Sequence, residues 1–416
     1  LDQPVTPPDQ QILKETDQCV LCGLCLPHCP TYHLTRNEAE SPRGRISLMQ
    51  ALARGQLQAD AELKGHLDRC LVCRSCERVC PSQVPYGKLI DEARALFAPG
   101  AAQSSSRSVP LQQLLDSVAD KQGRLRQVAK GLRLYQRSGA QWLARQSGLL
   151  RGLKLDGLEQ ALPNVPEPLN LKSYYPPQGE KRADVALFTG CIGEMMDDGT
   201  LPSAIKLLNI LGYGVQIPVS QGCCGSLHQH NGEPEQAKSL AHINVTAFNG
   251  LEVEAVIGTG SGCTAQLREY AARYGEENGF KVAVYDICDF LATIEWPEQI
   301  CFRPLKQRIA IHEPCASRNL LNGMASVQKL LAMIPELVAR PLANNNRCCG
   351  AAGSYMVTQP ALADALRREK LSAITAASAD AVVSTNIGCA LHIQAGRPGL
   401  ELHHPIALLL QQITSV

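Results

Sequence analysis

Cys19, Cys22 and Cys25 are separated by two residues each and are followed, after three more, by Cys29-Pro30; Cys70, Cys73, Cys76 and Cys80-Pro81 repeat that spacing. Three sulfurs at this step on a turning backbone can all face one iron-sulfur cube, and proline after the fourth cysteine stops the local helix and turns the chain away. Runs of this kind occur in bacterial ferredoxins, where the fourth thiolate ligates the other cluster. The spacing therefore predicts one [4Fe-4S] cluster on Cys19, Cys22, Cys25 and Cys80, and a second on Cys70, Cys73, Cys76 and Cys29. A structural zinc pair and disulfides are the competing chemistries. A third cysteine at the same step and a Cys-Pro pair suit a zinc ribbon poorly.

A second repeat fills the rest of the chain. Thr189-Gly190-Cys191, Gly222-Cys223-Cys224-Gly225 and Gly260-Ser261-Gly262-Cys263 are followed by Glu313-Pro314-Cys315, Arg347-Cys348-Cys349-Gly350 and Asn386-Ile387-Gly388-Cys389. Equivalent cysteines are offset by 124 (315 minus 191), 125 (348 minus 223) and 126 (389 minus 263), which marks a duplicated module. Each module offers four thiolates, the number that a [4Fe-4S] cube or a tetrahedral zinc needs. Adjacent cysteines are poor disulfide partners but can straddle a metal. Gly225 and Gly350 would let the backbone approach such a centre closely, and Gly190, Gly222 and Gly388 serve the same end. The plainer alternative, buried cysteines without metal, sits badly with so regular a repeat. Only Cys288 and Cys301 of the 18 cysteines stand outside these patterns. Both are expected to be small buried apolar residues.

His228 and His230 follow the first vicinal pair and His312 precedes Cys315. Each could ligate metal, hydrogen-bond a cluster sulfur or handle quinone protons, but the expectation for a lone histidine is a structural role. Arg43 and Arg45 are likewise expected as surface charges, with donors near a cluster or a partner flavoprotein as the sharper reading.

These groups need elements to hold them, and 416 residues suffice for two or three domains with cores of their own. Hydrophobic content of 45% is ordinary for a globular protein, and a net charge of +1 makes no case for nucleic acid or an anionic membrane surface. With aromatics at 4%, stacking platforms for bases are excluded as a theme. No apolar run approaches the roughly 20 residues of a membrane span. The start, Leu1 to Gln18, is polar and proline-bearing, unlike a secretory leader. Many cysteines without a leader point to metal binding in a reducing compartment.

The segment from Pro30 to Arg69 is too long for a ferredoxin hairpin, and Ser41 to Leu52 (SPRGRISLMQAL) reads as helix, so the first clusters are expected among helices. Ala98 to Arg107 has linker composition. Leu111 to Leu134 reads as an amphipathic helix that packs on its own protein or a subunit, with a membrane surface as the alternative, and Pro163 to Pro177 is proline-rich. Beyond it, strand-like runs at Ala183–Thr189, Val215–Val219, Glu254–Thr259, Val282–Tyr285 and Arg308–His312 alternate with helices such as Leu201–Leu211. This alternation predicts parallel sheets with sites at strand carboxyl ends. The fold class expected is α+β multidomain. Its parts are a mainly helical two-cluster ferredoxin domain over 1–100, a helical linker region over 101–180, and α/β cysteine-rich modules over 181–300 and 301–416.

The strings CVLCGLCLPHCPTYHL from Cys19, SPRGRISLM from Ser41, HLDRCLVCRSCERVCPSQVPYGKL from His66, GCCGSLHQHNG from Gly222 and NRCCGAAGSYM from Asn346 resemble the iron-sulfur subunit family of glycolate oxidase over nearly the whole chain. The same architecture occurs in the iron-sulfur subunit of anaerobic glycerol-3-phosphate dehydrogenase. The modules are similar to the CCG modules of heterodisulfide reductase, but that pattern ends in Cys-x-x-Cys. Here Gly260 and Asn386 occupy the place of the first of those cysteines. Each module thus lacks one thiolate, which counts against five-thiolate noncubane clusters and their disulfide chemistry. The resemblance favours a third [4Fe-4S] cluster on Cys315, Cys348, Cys349 and Cys389, and a cluster or metal on Cys191, Cys223, Cys224 and Cys263.

It also implies an electron-transfer subunit of a flavin-dependent 2-hydroxy-acid dehydrogenase acting on glycolate or D-lactate. No Gly-x-Gly-x-x-Gly fingerprint is present, so FAD is expected on a partner subunit. Electrons would pass toward a quinone, in a cytoplasmic protein able to lie peripherally on the inner membrane. The alternatives are a glycerol-3-phosphate partner, a disulfide or quinone reductase working at a module cluster, and a zinc-bearing scaffold behind the ferredoxin half.

Overall fold

A computed structural model describes residues 8–97, 122–147, 165–196, 199–321 and 323–414. The expected linker over Ala98–Arg107 lies outside the described residues. So do the beginning of the amphipathic stretch and the start of the proline-rich one, Pro163. The described part of the amphipathic stretch is helix over Gln122–Arg137 and is followed by a shorter helix, Ala140–Gln146.

The N-terminal region is helical, with main segments at Pro8–Thr16, Pro30–Thr35, Pro42–Ala53, Ala61–Asp68, Ser75–Arg78 and Tyr86–Ala95. Local chemistry sets these boundaries. Ser41 caps the third helix by accepting the Gly44 amide at 2.9 Å, and Asp60 caps the fourth by accepting that of Leu63 at 2.8 Å. Cys29 is extended, as a residue before proline must be, and Pro30 then opens the next helix at its first position. Proline here both ends one turn and starts another. Ile12, Ile46, Met49, Leu63, Leu67, Leu89, Ile90 and Ala93 bury the apolar faces in one core. The long insert between the cysteine runs is therefore a helical frame around them.

Among the described residues, the remainder holds two sheets. In the first, β1 (Tyr174–Tyr175), β2 (Ala183–Phe188), β3 (Tyr213–Gln216), β4 (Ala255–Gly258) and β5 (Ala283–Asp286) are ordered β1-β3-β2-β4-β5, parallel except for β1. In the second, β6 (Arg308–His312), β7 (Val338–Pro341), β8 (Ala381–Ser384) and β9 (Leu402–His403) are ordered β7-β6-β8-β9 and all parallel. Strands β2 to β5 thus correspond in order and direction to β6 to β9. The central strands are apolar and buried on both faces, as parallel strands covered by helices require.

The two modules share a core. Helix Thr200–Ile210 of the first packs on Pro405–Gln412 of the second, and Ile287–Thr293 of the first packs on Gly323–Leu331 of the second. These pairings exchange equivalent helices, so the contact has approximate two-fold symmetry. Leu201, Leu208, Phe290 and Leu291 meet Val327, Leu330, Ile406 and Leu409 there. The fold is α+β and multidomain.

Candidate metal centres

The ferredoxin half contains two adjacent cavities. One is lined by Cys19, Cys22, Cys25 and Cys80 together with Val20, Leu21, Leu24, Ile46 and Val84; Cys76 lies on its inner wall. The other is lined by Cys29, Cys70, Cys73 and Cys76, with Pro30, Arg45, Leu71 and Tyr86 around them. Equivalent loop residues bend into left-handed backbone in both runs: Leu21 and Gly23 at φ 55° and 83°, Val72 and Arg74 at φ 48° and 57°. A β-branched residue such as Val72 adopts that conformation only under constraint. The cysteines of each bent loop line its cavity. Tyr86 reaches the Cys70 sulfur through its hydroxyl at 3.7 Å, and the Cys29 sulfur lies 3.2 Å from the Thr31 hydroxyl.

Burial pushes the Cys25 thiol up to about 11 and also raises those of Cys73 and Cys76 above the ordinary thiol range. Thiols so placed lose their protons only to a cation that compensates the charge. Clustered sulfur donors, the many apolar side chains around them and that demand for positive charge fit iron-sulfur clusters.

Arg45 corrects an expectation. It is not a surface charge but 1% exposed, with Nη2 2.6 Å from Glu40 Oε2, Nη1 donating to the Glu40 carbonyl and the Thr31 hydroxyl, and Nε donating to the His66 carbonyl. It forms part of the wall of the second cavity. Arg43 remains half-exposed, paired with Glu38 at 2.6 Å and donating to the Leu21 carbonyl at 3.2 Å beside the first cavity.

In each module the cysteines gather at the carboxyl ends of the strands, where the order reverses around the central strand. That crevice is the usual ligand site of an open parallel sheet. Cys191 opens helix Cys191–Met196 after β2, Cys223 and Cys224 occupy the loop after β3, and Cys263 lies in the first turn of Ser261–Arg268 after β4. In the second module Cys315 opens Cys315–Leu320, Cys348 and Cys349 follow β7, and Cys389 lies in Ile387–Ala395. The Sγ atoms of Cys191 and Cys223 are 3.6 Å apart and those of Cys349 and Cys389 3.0 Å. Contact with a neighbouring thiol, and then burial, hold Cys191, Cys224 and Cys315 well above the ordinary thiol range.

Both vicinal pairs are held alike. The Gly225 amide points to Cys223 Sγ and the Gly350 amide to Cys348 Sγ, each at 3.5 Å. Such bonds to sulfur tune cluster potentials. Gly225 and Gly350 have φ 77° and 94°, and a Cβ there would lie 3.1 and 2.6 Å from the carbonyl oxygens of Ala237 and Ala363. A matched pair of amides, Gln221 and Asn345, then ties each loop to its sheet. Gln221 accepts from the Thr189 amide and donates to the Leu187 carbonyl; Asn345 accepts from the Glu313 amide and donates to the Ile311 carbonyl.

The three histidines separate clearly. His312 Nδ1 lies 2.9 Å from the Ser384 hydroxyl, and a ring nitrogen and the Cys349 and Cys389 sulfurs all fall within 4.8 Å of one another. Burial, followed by the charge of Lys370, pushes its pKa down to about 3, so the ring is neutral. His228 is buried against Glu233 at 2.6 Å, and His230 meets Asp91 of the ferredoxin half at 2.9 Å. Cys288 is buried as expected, whereas Cys301 is exposed. The difference follows from position: Cys288 opens a core helix, while Cys301 lies in the connection before β6.

The second ferredoxin cavity borders the second module. Cys73 and Cys315 flank an apolar cluster that contains Leu71 and Cys348, and Asn319 donates to the Cys73 carbonyl at 2.6 Å and to the Ser75 hydroxyl at 3.2 Å. The first module meets the ferredoxin half through charged groups as well. Arg273 lies 3.0 Å from Asp91, and Arg74 pairs with Glu269.

Sequence reasoning misses Lys370 and Asn319. Lys370 carries a signal: it falls on the apolar stripe of helix Pro360–Ala376 formed by Ala363, Leu366 and Ile374. Asn319 carries none, because its partners come from the other end of the chain. Among the described residues, no helix is long and apolar enough to cross a membrane.

Comparison with known proteins agrees with this layout. Residues 15–84 match the 4Fe-4S dicluster domain family, which implies two [4Fe-4S] clusters. Residues 185–268 and 309–394 each match the cysteine-rich domain family, and residues 112–162 match the linker region of the glycolate oxidase iron-sulfur subunit. The probable glycolate oxidase iron-sulfur subunit of Bacillus subtilis is 34% identical over 92% of this chain and 90% of its own length. The glycolate oxidase iron-sulfur subunit of Escherichia coli is 31% identical over 92% and 91%. A fumarate reductase (CoM/CoB) subunit of Methanothermobacter marburgensis is more distant, at 25% over 94% of this chain and 70% of its own length. With the linker, the dicluster domain and both cysteine-rich modules accounted for, the chain belongs to the glycolate oxidase iron-sulfur subunit family.

Proposed function

We propose that this subunit carries electrons from the FAD of a partner dehydrogenase subunit to a quinone, the substrate being a 2-hydroxy acid of the glycolate or D-lactate class. Two electrons and two protons leave the substrate at the flavin, one hydrogen coming from the alcohol carbon and the other from its hydroxyl. The electrons pass singly along this chain, and a quinone takes both with two protons. When bound, the clusters supply one-electron storage; the residues of this chain hold, space and screen them. Cys19, Cys22, Cys25 and Cys80 would hold one cluster and Cys29, Cys70, Cys73 and Cys76 another. Cys315, Cys348, Cys349 and Cys389 would hold a third, and Cys191, Cys223, Cys224 and Cys263 a fourth cluster or a metal.

The observation that carries this reading is the contiguity of the thiol groups. Cys76 borders both ferredoxin cavities, and Cys73 shares one buried cluster with Cys315 and Cys348. A scaffold whose modules bore only structural metal would have no need of that adjacency.

Metal analysis of the purified chain tests it. Four clusters predict about sixteen irons per chain, and a zinc scaffold about eight irons plus zinc. Cys349→Ser should remove one cluster and slow electron passage from glycolate through the complex. Unchanged iron content and electron transfer in that variant would refute the assignment. Turnover of a disulfide by the chain, with an electron donor but without its flavoprotein, would show a reductase instead of a relay.

A further inference from the structure

The modules are alike in their thiols and unlike in what surrounds them. Helices Pro234–Asn249 and Pro360–Ala376 start 126 residues apart and approach the two vicinal pairs in the same way, Ala237 at Gly225 and Ala363 at Gly350. At that offset, Lys370 of the second module corresponds to Asn244 of the first. At the ends of the central strands, His312 corresponds to Phe188.

Lys370 is 0% exposed, and its ammonium donates to the carbonyl and side-chain oxygens of Asn344 at 2.5 and 3.3 Å. Burial lowers its pKa, and the groups that act against that shift and favour the charged form are Cys349, Cys348, Cys389 and Cys315, the whole thiol set of its module. Asn244 is equally buried but neutral. It accepts the Gly222 amide and donates to the Cys223 carbonyl and the Tyr270 hydroxyl. One module thus has a buried ammonium within electrostatic reach of its four thiols where the other has an amide that ties loops.

A thiolate-ligated cluster bears net negative charge, and each electron adds to it. A fixed positive charge in a low-dielectric interior therefore favours the reduced form more than the oxidised form, and net charge is one of the levers that set cluster potentials. The module with Lys370 is also the one that adjoins the ferredoxin cavities, through Cys73 and Asn319.

We infer that Lys370 raises the potential of the second-module centre, making it the more easily reduced of the two module centres and the one that draws electrons from the ferredoxin pair. This rests on the cluster assignment proposed above. Lys370 is a positioning residue for charge: it touches no substrate and ligates no metal.

The test is a potentiometric titration of the whole chain followed by electron paramagnetic resonance, the second-module signal being the one that Cys389→Ser abolishes. Lys370→Gln removes the charge while keeping a donor for Asn344; Lys370→Arg keeps the charge. Gln should lower the midpoint of that signal by a tenfold change in the reduced-to-oxidised ratio, about 59 mV for one electron. The ferredoxin midpoints should stay in place and Arg should hold the wild-type value. An unmoved midpoint in Gln, an equal drop in Arg, or loss of the centre in both variants would assign Lys370 to anchoring the loop and overturn the inference. If no signal depends on Cys389, the cluster assignment beneath it falls as well, a distinct result.

Discussion

Asn319 of the second module donates a hydrogen bond to the backbone carbonyl of Cys73 at 2.6 Å, joining residues 246 positions apart in the chain. It fixes the junction at which the helical cysteine frame meets a sheet-top thiol site. Asn319→Leu should loosen that junction by about 1 kcal/mol, the worth of a typical hydrogen bond. Electron exchange between the ferredoxin pair and the second module should slow while iron content stays constant. Freeze-quench spectroscopy after rapid reduction measures this; wild-type exchange rates in the variant would show that Asn319 does not set the spacing.

Gly350→Ala should be more damaging than Gly225→Ala. Both need left-handed backbone, but the added methyl meets the Ala363 carbonyl at 2.6 Å against 3.1 Å for Ala237. A cost of roughly 1–3 kcal/mol is expected at each for the backbone alone, with the excess at Gly350 coming from the clash. Thermal unfolding and iron content should rank the pair in that order.

Arg45→Met should destabilise the N-terminal frame strongly. It leaves Glu40 buried with only His66 and Arg69 as partners, at 2.7 and 2.6 Å, and removes donors from two backbone carbonyls. Breaking one side of a buried pair costs about 3–5 kcal/mol. Urea denaturation checks this, and the double change Arg45→Met with Glu40→Gln should recover part of the loss.

Docking of the ferredoxin half on the first module should weaken in acid. Burial alone would raise the Asp91 carboxyl, but His230, Arg273 and Arg94 more than offset it and hold it below its ordinary value. For a depressed carboxyl, the stabilisation is complete above the unfolded value of about 3.9 and is lost as pH falls through the lower folded value. Limited proteolysis between pH 6 and pH 3 should show the halves separating only at the acid end of roughly that range. Asp91→Asn should separate them more readily at the upper end of the range, where wild type is intact, and flatten the dependence; an unchanged profile in that variant would place the acid-labile contact elsewhere.

The sheet-top thiol sites are legible in the sequence because strand runs and cysteines recur together: Arg308–His312 coincides with β6, and Ala183–Thr189 differs from β2 by one residue. Val215–Val219 lies too late in the chain. The strand begins at Tyr213 and ends at Gln216, and Val219 is exposed in the loop before Gly222. Its apolar character belongs to the approach to the vicinal pair. The duplication implies β7, β8 and β9 without locating them individually. The burial of Arg45 is hidden because its compensating groups, Glu40 and the His66 carbonyl, are recognisable only once helices Pro42–Ala53 and Ala61–Asp68 lie against each other. Composition alone assigns such an arginine to the surface.

The exchanged helices between the modules also bear on ancestry. A single module would expose the faces of its counterparts to Thr200–Ile210 and Ile287–Thr293, and a second copy would cover them in the same reciprocal way. A symmetric pair of that kind must carry identical residues at both thiol sites. Joining the copies in one chain lifts that constraint, and it is the condition under which one set of sulfurs can have a lysine near it and the other an asparagine.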